Sequence, residues 1–433
     1  MRQFSHFTFS FITMPKHHII HYFLIAIIAF GTSCTTNPSD NKATDHHSVQ
    51  KDTLAKVDST NQKPPTQTQK LAPVDRKFND LARLLAGMPA ETGSVVAKYQ
   101  ETKDWQAYQK VAEKIWEKIL NEKRPAMLEW QKTHLQAPNA EADLLFYPFS
   151  GPDFLHASTF YPSATEIVMM GLEPIGNLPD MEKITQKSPK NYYKGLERAL
   201  YAVLKYSFFI TKDMDVDFRG RIDQRIDGTL PALMIFMART GYRILNYEKV
   251  AISPEGKLKP IALDKATDKK IYYGTKLTYH KAGENKTRTL YFFGVNLSNA
   301  PYLGMGGLQQ RTDLVKYLES LKPRNTYLKS ASYLMYGGGF SKIRDVILKQ
   351  SKFVLQDDSG MAFKNFTQNN TQNNTWKITL FGRYAGPIGI FRHHYQYDLR
   401  DAYKKGYPVK ALPFGIGYQF LKGNSNLMLA QKK

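Results

Sequence analysis

Twice along this chain an apolar run of strand length stops at a glycine-bearing turn, opens into a helix and returns to a second apolar run. The first passage runs through Leu144–Phe149, the turn Ser150-Gly151-Pro152, a helix over Asp153–Tyr161 and Glu166–Leu172. The second runs through 326–336, Gly337-Gly338-Gly339, a helix over 340–351 and 352–356. Two strands joined through a helix can pair in parallel, and a parallel sheet needs cover on both faces. The fold is thereby constrained to the α/β class. Residue identity between the passages is poor, so they share a supersecondary unit rather than a repeat.

Around these units the patterning predicts further elements. Helices are expected at 78–88, 102–136, 190–209, 229–240, 309–321 and 398–405. Strands are expected at 242–252, 270–280, 287–297, 376–384 and 412–420, with a meander across Gly283. In the second helix Trp105, Tyr108, Val111, Ile115, Trp116 and Ile119 recur at helical spacing, a core stripe. The expected architecture is a helical part, 76–140, leading into a mixed α/β part, 141–433, with βαβ units and some antiparallel strands. With 42% hydrophobic and 13% aromatic residues, the chain has the material for such a core. A single cysteine excludes an internal disulfide and cysteine-based zinc or iron–sulfur sites.

That cysteine has a particular setting. Lys16, with His17 and His18, precedes a mostly apolar run over 19–30, too short to span a bilayer comfortably. Gly31-Thr32-Ser33-Cys34 follow. Apolar core, small residues and cysteine in this order resemble the signal peptide and lipobox of bacterial lipoproteins. A leucine or similar residue is usual where Gly31 stands, and Met14 offers a second start that would give a compact signal, Met14–Ser33. The resemblance implies cleavage before Cys34, diacylation of its sulfur and acylation of its amine, hence a membrane anchor through Cys34. Thr35 after the cysteine implies outer-membrane sorting.

Residues 34–75 then read as a tether. No Phe, Tyr or Trp occurs from 35 to 75, and such a stretch buries too little apolar area to offset its ordering entropy. As a random coil its length would reach roughly 30–40 Å. His46-His47 lie within it and read as solvated.

Signature motifs are scarce. Walker A, Gly-x-Ser-x-Gly, His-Glu-x-x-His and dinucleotide fingerprints are absent, and Gly304-Met305-Gly306-Gly307 lacks the last required glycine. The best candidates are the two turn-to-helix junctions, since ligands of open α/β sheets bind outside the carboxyl ends of the strands. At the first, Asp153 and His156 are three apart and share a helix face. There the carboxylate can hold the imidazole in one tautomer for acid–base chemistry, or simply cap the helix beside a core histidine. Ser150 and Gly151 there, and Gly337, Gly338, Gly339, Ser341 and Arg344 at the second junction, are the candidate binding residues, with Ser341 as helix cap. Asp357-Asp358 could bind a cation or share a proton, or simply form an Asp-Ser-Gly turn. His393 and His394, on an expected strand, would point to opposite faces. Asp213, Asp215 and Asp217 resemble the start of a calcium loop, but the glycine comes late and Gln224 replaces the bidentate glutamate, so no metal or other cofactor is expected.

A formal charge of +22, about +20 without Arg2 and Lys16, calls for a counterpart or a solvated lysine surface. For an exported chain, anionic envelope components fit better than nucleic acid. Three readings follow: a lipid-anchored envelope protein whose α/β domain binds a ligand or scaffolds envelope components, a hydrolase-like enzyme acting on envelope or nutrient polymers through Asp153 and His156, or a purely structural role.

Overall fold

The computed structural model describes residues 76–433 except 188, 207–225, 263–272, 323 and 368–374. The lipobox, the tether and the Asp213–Asp217 stretch lie outside the described residues. The described residues fall in one compact unit that begins at Leu71.

The principal elements begin with helices α1 (Arg76–Leu85), α2 (Lys103–Lys118) and α3 (Arg124–His134), then strand β1 (Leu144–Pro148), helix α4 (Phe154–Phe160) and strand β2 (Glu166–Gly171). Helices α5 (Pro189–Tyr206) and α6 (Leu230–Arg239) lead to strands β3 (Tyr242–Ile252), β4 (Leu258–Ile261), β5 (Tyr273–Lys281) and β6 (Thr287–Gly294). Helix α7 (Thr312–Ser320), strand β7 (Arg324–Leu328), helix α8 (Ser341–Gln350) and strand β8 (Ser351–Gln356) follow. Strands β9 (Trp376–Gly382), β10 (Val409–Lys410) and β11 (Asn426–Lys432) complete the chain.

The strands form one 11-stranded mixed sheet in the order β10-β9-β11-β8-β7-β1-β2-β6-β5-β3-β4. Its centre, β8-β7-β1-β2-β6, is parallel, and both βαβ passages lie within it. Antiparallel strands flank it: β11 between β8 and β9 on one side, β5 and β3 on the other. The fold is therefore α/β.

Alternating side chains of the central strands feed two cores. Leu145 and Tyr147 of β1, Ile167 and Met169 of β2 and Tyr327 of β7 pack with Trp116 of α2, Trp130 of α3 and Phe236 of α6. Phe146, Val168, Met170, Leu328 and Val354 face the other way, against Leu314 of α7 and Ile343 and Ile347 of α8. Two-sided burial is why these strands read as continuous apolar runs instead of alternating ones.

Several boundaries differ from the sequence reading. The helix expected over 102–136 is α2 and α3 joined through a π turn at Ile119–Lys123. Strand β7 stops at Leu328 rather than 336, because Ser330, Ser332 and Tyr333 all take left-handed backbone angles and break the extended run. No strand occupies 412–420, where a bridge between Ile416 and Gln419 closes a tight turn; the last strand is β11. His393 and His394 sit in a 3₁₀ turn, Gly389–His394, not on a strand.

A candidate acid–base centre at the carboxyl edge of the parallel strands

β1 lies between β2 and β7. The first crossover leads from β1 to β2 and the second from β7 outward to β8, so the direction of winding reverses between β1 and β7. In open α/β sheets ligands usually sit outside the carboxyl ends of the strands at such a switch point.

Both strands end there in unusual backbone. Phe149, just past β1, has φ 58°, and Ser330, just past β7, has φ 55°. Non-glycine residues rarely hold such angles, and those that do cluster at functional sites. Gly151 has φ 51°, which explains a glycine in the first turn.

This turn delivers Asp153 to the start of α4. Its Oδ1 accepts the His156 backbone N–H at 3.2 Å, capping the helix. The same carboxylate lies 2.8 and 2.9 Å from His156 Nδ1, so Nδ1–H donates to it and Nε2 carries the lone pair. Tyr147 of β1 donates its hydroxyl to Oδ2 at 2.9 Å. From the end of β7, Lys329 Nζ reaches Oδ2 at 2.5 Å and lies 3.2 Å from His156 Nδ1. Asp153, His156, Lys329 and Tyr147 are all buried, with 3% exposure at most.

Burial alone would raise the Asp153 carboxyl. The electrostatic interaction with His156, then the ammonium of Lys329, then the hydrogen bonds from both outweigh it and hold the group below the usual carboxylate range. Burial lowers the His156 ring pKa despite the pull of Asp153, and Lys329 lowers it further. The centre at neutral pH is thus an ionised carboxylate, an ammonium and a neutral imidazole in a fixed tautomer. Close by, Tyr327 packs on Tyr147 with ring centroids 4.6 Å apart. Among the described residues, nothing hydrogen-bonds the buried Tyr327 hydroxyl or Ser330 Oγ, a pattern that calls for a partner such as water or a ligand.

A second buried acidic group adjoins it. Asp357, following β8, accepts the Ser330 N–H at 2.9 Å through Oδ2, and the Ser359 N–H and hydroxyl at 3.0 and 2.5 Å through Oδ1. A side chain at Gly417 would overlap Asp357 Oδ2, so the 416–419 turn needs glycine there. Asp358 accepts from the Tyr333 hydroxyl at 2.7 Å and from Asn426 Nδ2 at 3.0 Å. Neither carboxylate has an ion-pair partner among the described residues. Burial, then the charge of Asp358, raises Asp357 to about 7; burial also raises Asp358. Gln356, Asp358, Gln396, Tyr403 and Asn426 line a cavity with room for about one water.

The remaining candidate residues are placed differently from expectation. Ser150 is buried and directs Oγ to the Met170 carbonyl at 3.3 Å. Ser341 does not cap α8; Asn299, from the loop after β6, accepts the Lys342 N–H at 3.1 Å and donates to Ser341 Oγ at 2.9 Å. Arg344 donates to the carbonyls of Met335 at 2.9 Å and Gly337 at 3.4 Å, so it braces the loop rather than awaiting an anion. Gly337, Gly338 and Gly339 are exposed, and a side chain at any of them would meet nothing within 4 Å. The two junctions meet where Phe149 packs on Phe340, ring centroids 5.8 Å apart, but the second contributes no side chain to the Asp153 cluster. The structure instead brings Asp153 and His156 together with Lys329 and Tyr147. Tyr147 stands six residues before Asp153, but the sequence offered no sign of Lys329, 176 residues away. A pairing so distant leaves no local pattern, and with the strand expected over 326–336 Lys329 read as an interior strand position rather than one at its carboxyl end.

Among the described residues, no cluster of three His, Cys, Asp or Glu side chains is arranged to hold a metal, and no helix is long and apolar enough to cross a membrane. No protein-family model, curated protein or solved structure matches the chain.

Proposed function

We propose that this chain is a lipid-anchored protein of the cell envelope, held through Cys34, whose α/β domain carries out hydrolase-like acid–base chemistry on an envelope or nutrient polymer. One observation carries the chemical half: Asp153 bridges His156 Nδ1 and Lys329 Nζ at the switch point of the sheet. The carboxylate orients the ring, so Nε2 is the proton acceptor, and the lowered ring pKa keeps it unprotonated at neutral pH. Lys329 balances the charge of Asp153, which leaves the imidazole free of any need to be charged. The address rests on the Gly31–Cys34 resemblance.

The test is turnover by the full chain against chromogenic esters, glycosides and isolated envelope polymers. His156→Asn keeps a donor near the position of Nδ1 but removes Nε2. Loss of turnover by about 100-fold or more, with the fold retained, supports the assignment. Turnover unchanged in His156→Asn rules His156 out. Absence of turnover on every substrate class favours the binding and scaffolding reading, for which full burial of the four residues as a structural ion cluster is the supporting observation.

A further inference from the structure

We propose that the loops at the carboxyl edge of the sheet form a membrane-docking rim, which seats the domain on the anionic lipid headgroups of the surface that holds its anchor. The proposal takes its address from the lipid anchor proposed above, while the rim itself rests on separate observations.

Nine large hydrophobic side chains are exposed among the described residues, and six of them lie in the segments that connect strands at this edge: Tyr302, Leu303, Leu334, Tyr395, Tyr397 and Leu421. Tyr302 and Leu303 follow β6, Leu334 follows β7, Tyr395 and Tyr397 follow β9, and Leu421 precedes β11. The register places the ends of β6, β7 and β9 and the start of antiparallel β11 on one edge.

The loops are connected. Asn299 donates its backbone N–H to the Gly339 carbonyl at 2.7 Å and its side-chain amide to that of Gly338 at 2.7 Å. His394 stacks on Tyr333, with centroids 5.1 Å apart, joining the loop after β9 to that after β7. Gln419 donates to the Gly386 carbonyl at 2.8 Å, and Gly386 packs on the Tyr395 ring.

The two most exposed leucines stand on turns, while Tyr397, 66% exposed, opens the short helix Tyr397–Asp401. Leu303 is 57% exposed and holds φ 49° in front of Gly304 at φ 76°, in a turn closed by reciprocal hydrogen bonds of 2.9 Å between Tyr302 and Met305. Asn, Asp or Gly normally fills that first position. Here backbone strain displays an apolar side chain to solvent. Leu421 is 59% exposed, two residues before Gly423 at φ 91°.

Charge selects the occupant. Lys342, Arg383, Arg392 and Lys422 are exposed around these loops, and none forms an ion pair with a described residue; of the acidic residues nearby in sequence, Asp313, Asp345 and Asp401 pair with Arg311, Arg344 and Arg400, which leaves Asp398. Apolar tips, amphipathic tyrosines and unpaired cations are the combination that suits a headgroup layer. A sugar polymer would make use of the rings but not of leucines on turn tips. Docked this way, the rim would turn the Asp153–His156–Lys329 edge toward the membrane, and the substrate class becomes one presented at that surface.

The full chain is reconstituted into phosphatidylcholine vesicles with and without phosphatidylglycerol, and amide hydrogen exchange is followed in 299–308, 386–397 and 416–423. In parallel, the Cys34→Ser chain is cosedimented with the same vesicles. Expected are protection of those loops and binding of the Cys34→Ser chain on the anionic vesicles only, both lost as salt rises. Leu303→Asp with Leu421→Asp should weaken that binding about tenfold or more, whereas Val95→Asp with Val111→Asp, exposed apolar positions outside these loops, should not. Unprotected loops, or binding indifferent to the leucine substitutions, would overturn the rim. So would preference for soluble acidic glycan, or self-association through the same loops. A full chain that fails to enter vesicles at all, while the Cys34→Ser chain still binds through the rim, would overturn the anchor alone.

Discussion

Asp153 and Asp357 are both buried carboxylates at the same edge of one sheet, after β1 and β8, the two neighbours of β7. They are driven in opposite directions. Asp153, contacting Lys329 and His156, is held below the ordinary carboxylate range; Asp357, beside another carboxylate and without an ion-pair partner among the described residues, rises to about 7. Both accept hydrogen bonds from backbone N–H groups and from hydroxyls. Burial and hydrogen bonding are therefore common to the two, and the neighbouring groups are the difference: His156 and the Lys329 ammonium at Asp153, a second carboxylate, Asp358, at Asp357. A counter-charge or a like charge decides whether this interior holds an anion or a proton.

Removing that counter-charge should have the largest effect. Lys329→Met leaves Asp153 buried and unpaired, and breaking a buried pair from one side typically costs about 3–5 kcal/mol. The loss should be greatest above pH 7 and shrink as acid protonates Asp153. Adding Asp153→Asn to Lys329→Met should recover part of the loss, and the two substitutions should be non-additive in urea unfolding. If Lys329→Met costs less than about 1 kcal/mol, or the pair behaves additively, the lysine is not what separates the two carboxylates.

The contrast also marks how far the sequence can be read. The βαβ passages were legible because Ser150-Gly151-Pro152 and Gly337–Gly339 punctuate apolar runs, and two-sided burial makes those runs continuous. Asp153 and His156 were legible as an i,i+3 pair. The end of β7 was not: Tyr327, Leu328, Ala331, Tyr333, Leu334 and Met335 prolong a strand-like pattern, while Ser330, Ser332 and Tyr333 take positive φ without a glycine to announce it. Hydrogen bonds from Ser330 N to Asp357 and from the Tyr333 hydroxyl to Asp358 help hold that loop. β11 escaped notice because its place is fixed by pairing with β8 and β9 rather than by its own seven residues. Lys329 escaped because an ion pair is a property of the folded state.

The second carboxylate can be pushed toward the first by removing its like-charged neighbour. Asp358→Asn is close in shape, and its amide can still accept from Asn426 and donate to the Tyr333 hydroxyl, a group that serves as either donor or acceptor. A raised carboxyl binds its proton more tightly in the folded state, so Asp357 makes stability fall as pH rises from about 4 to about 7. Asp153 has the opposite sign: its contribution is complete above about pH 4 and is lost in acid. In Asp358→Asn the fall between pH 4 and 7 should flatten, leaving the variant more stable than the parent at pH 8 by about 1 kcal/mol or more. Chemical denaturation across that range reads the slope. A slope unchanged by the substitution would mean that burial alone raises Asp357.

The smallest effect is expected at His156. A neutral ring adds a hydrogen bond and packing to Asp153 but no charge, so His156→Asn should cost about 1–2 kcal/mol at pH 7, chiefly for the volume removed. Its pH dependence separates the two protonation states. With the folded pKa lowered, the unfolded chain takes up the proton first as pH falls below about 6.5, so the parent loses stability there and the cost of the substitution shrinks. An imidazolium paired with Asp153 would have a raised pKa and give the reverse, a cost that grows in acid. Stability of the variant and the parent at pH 5 and pH 8 decides between them. A growing cost would give Asp153 two cations instead of one, and Lys329 would share with His156 the part of the contrast with Asp357 that comes from counter-charge.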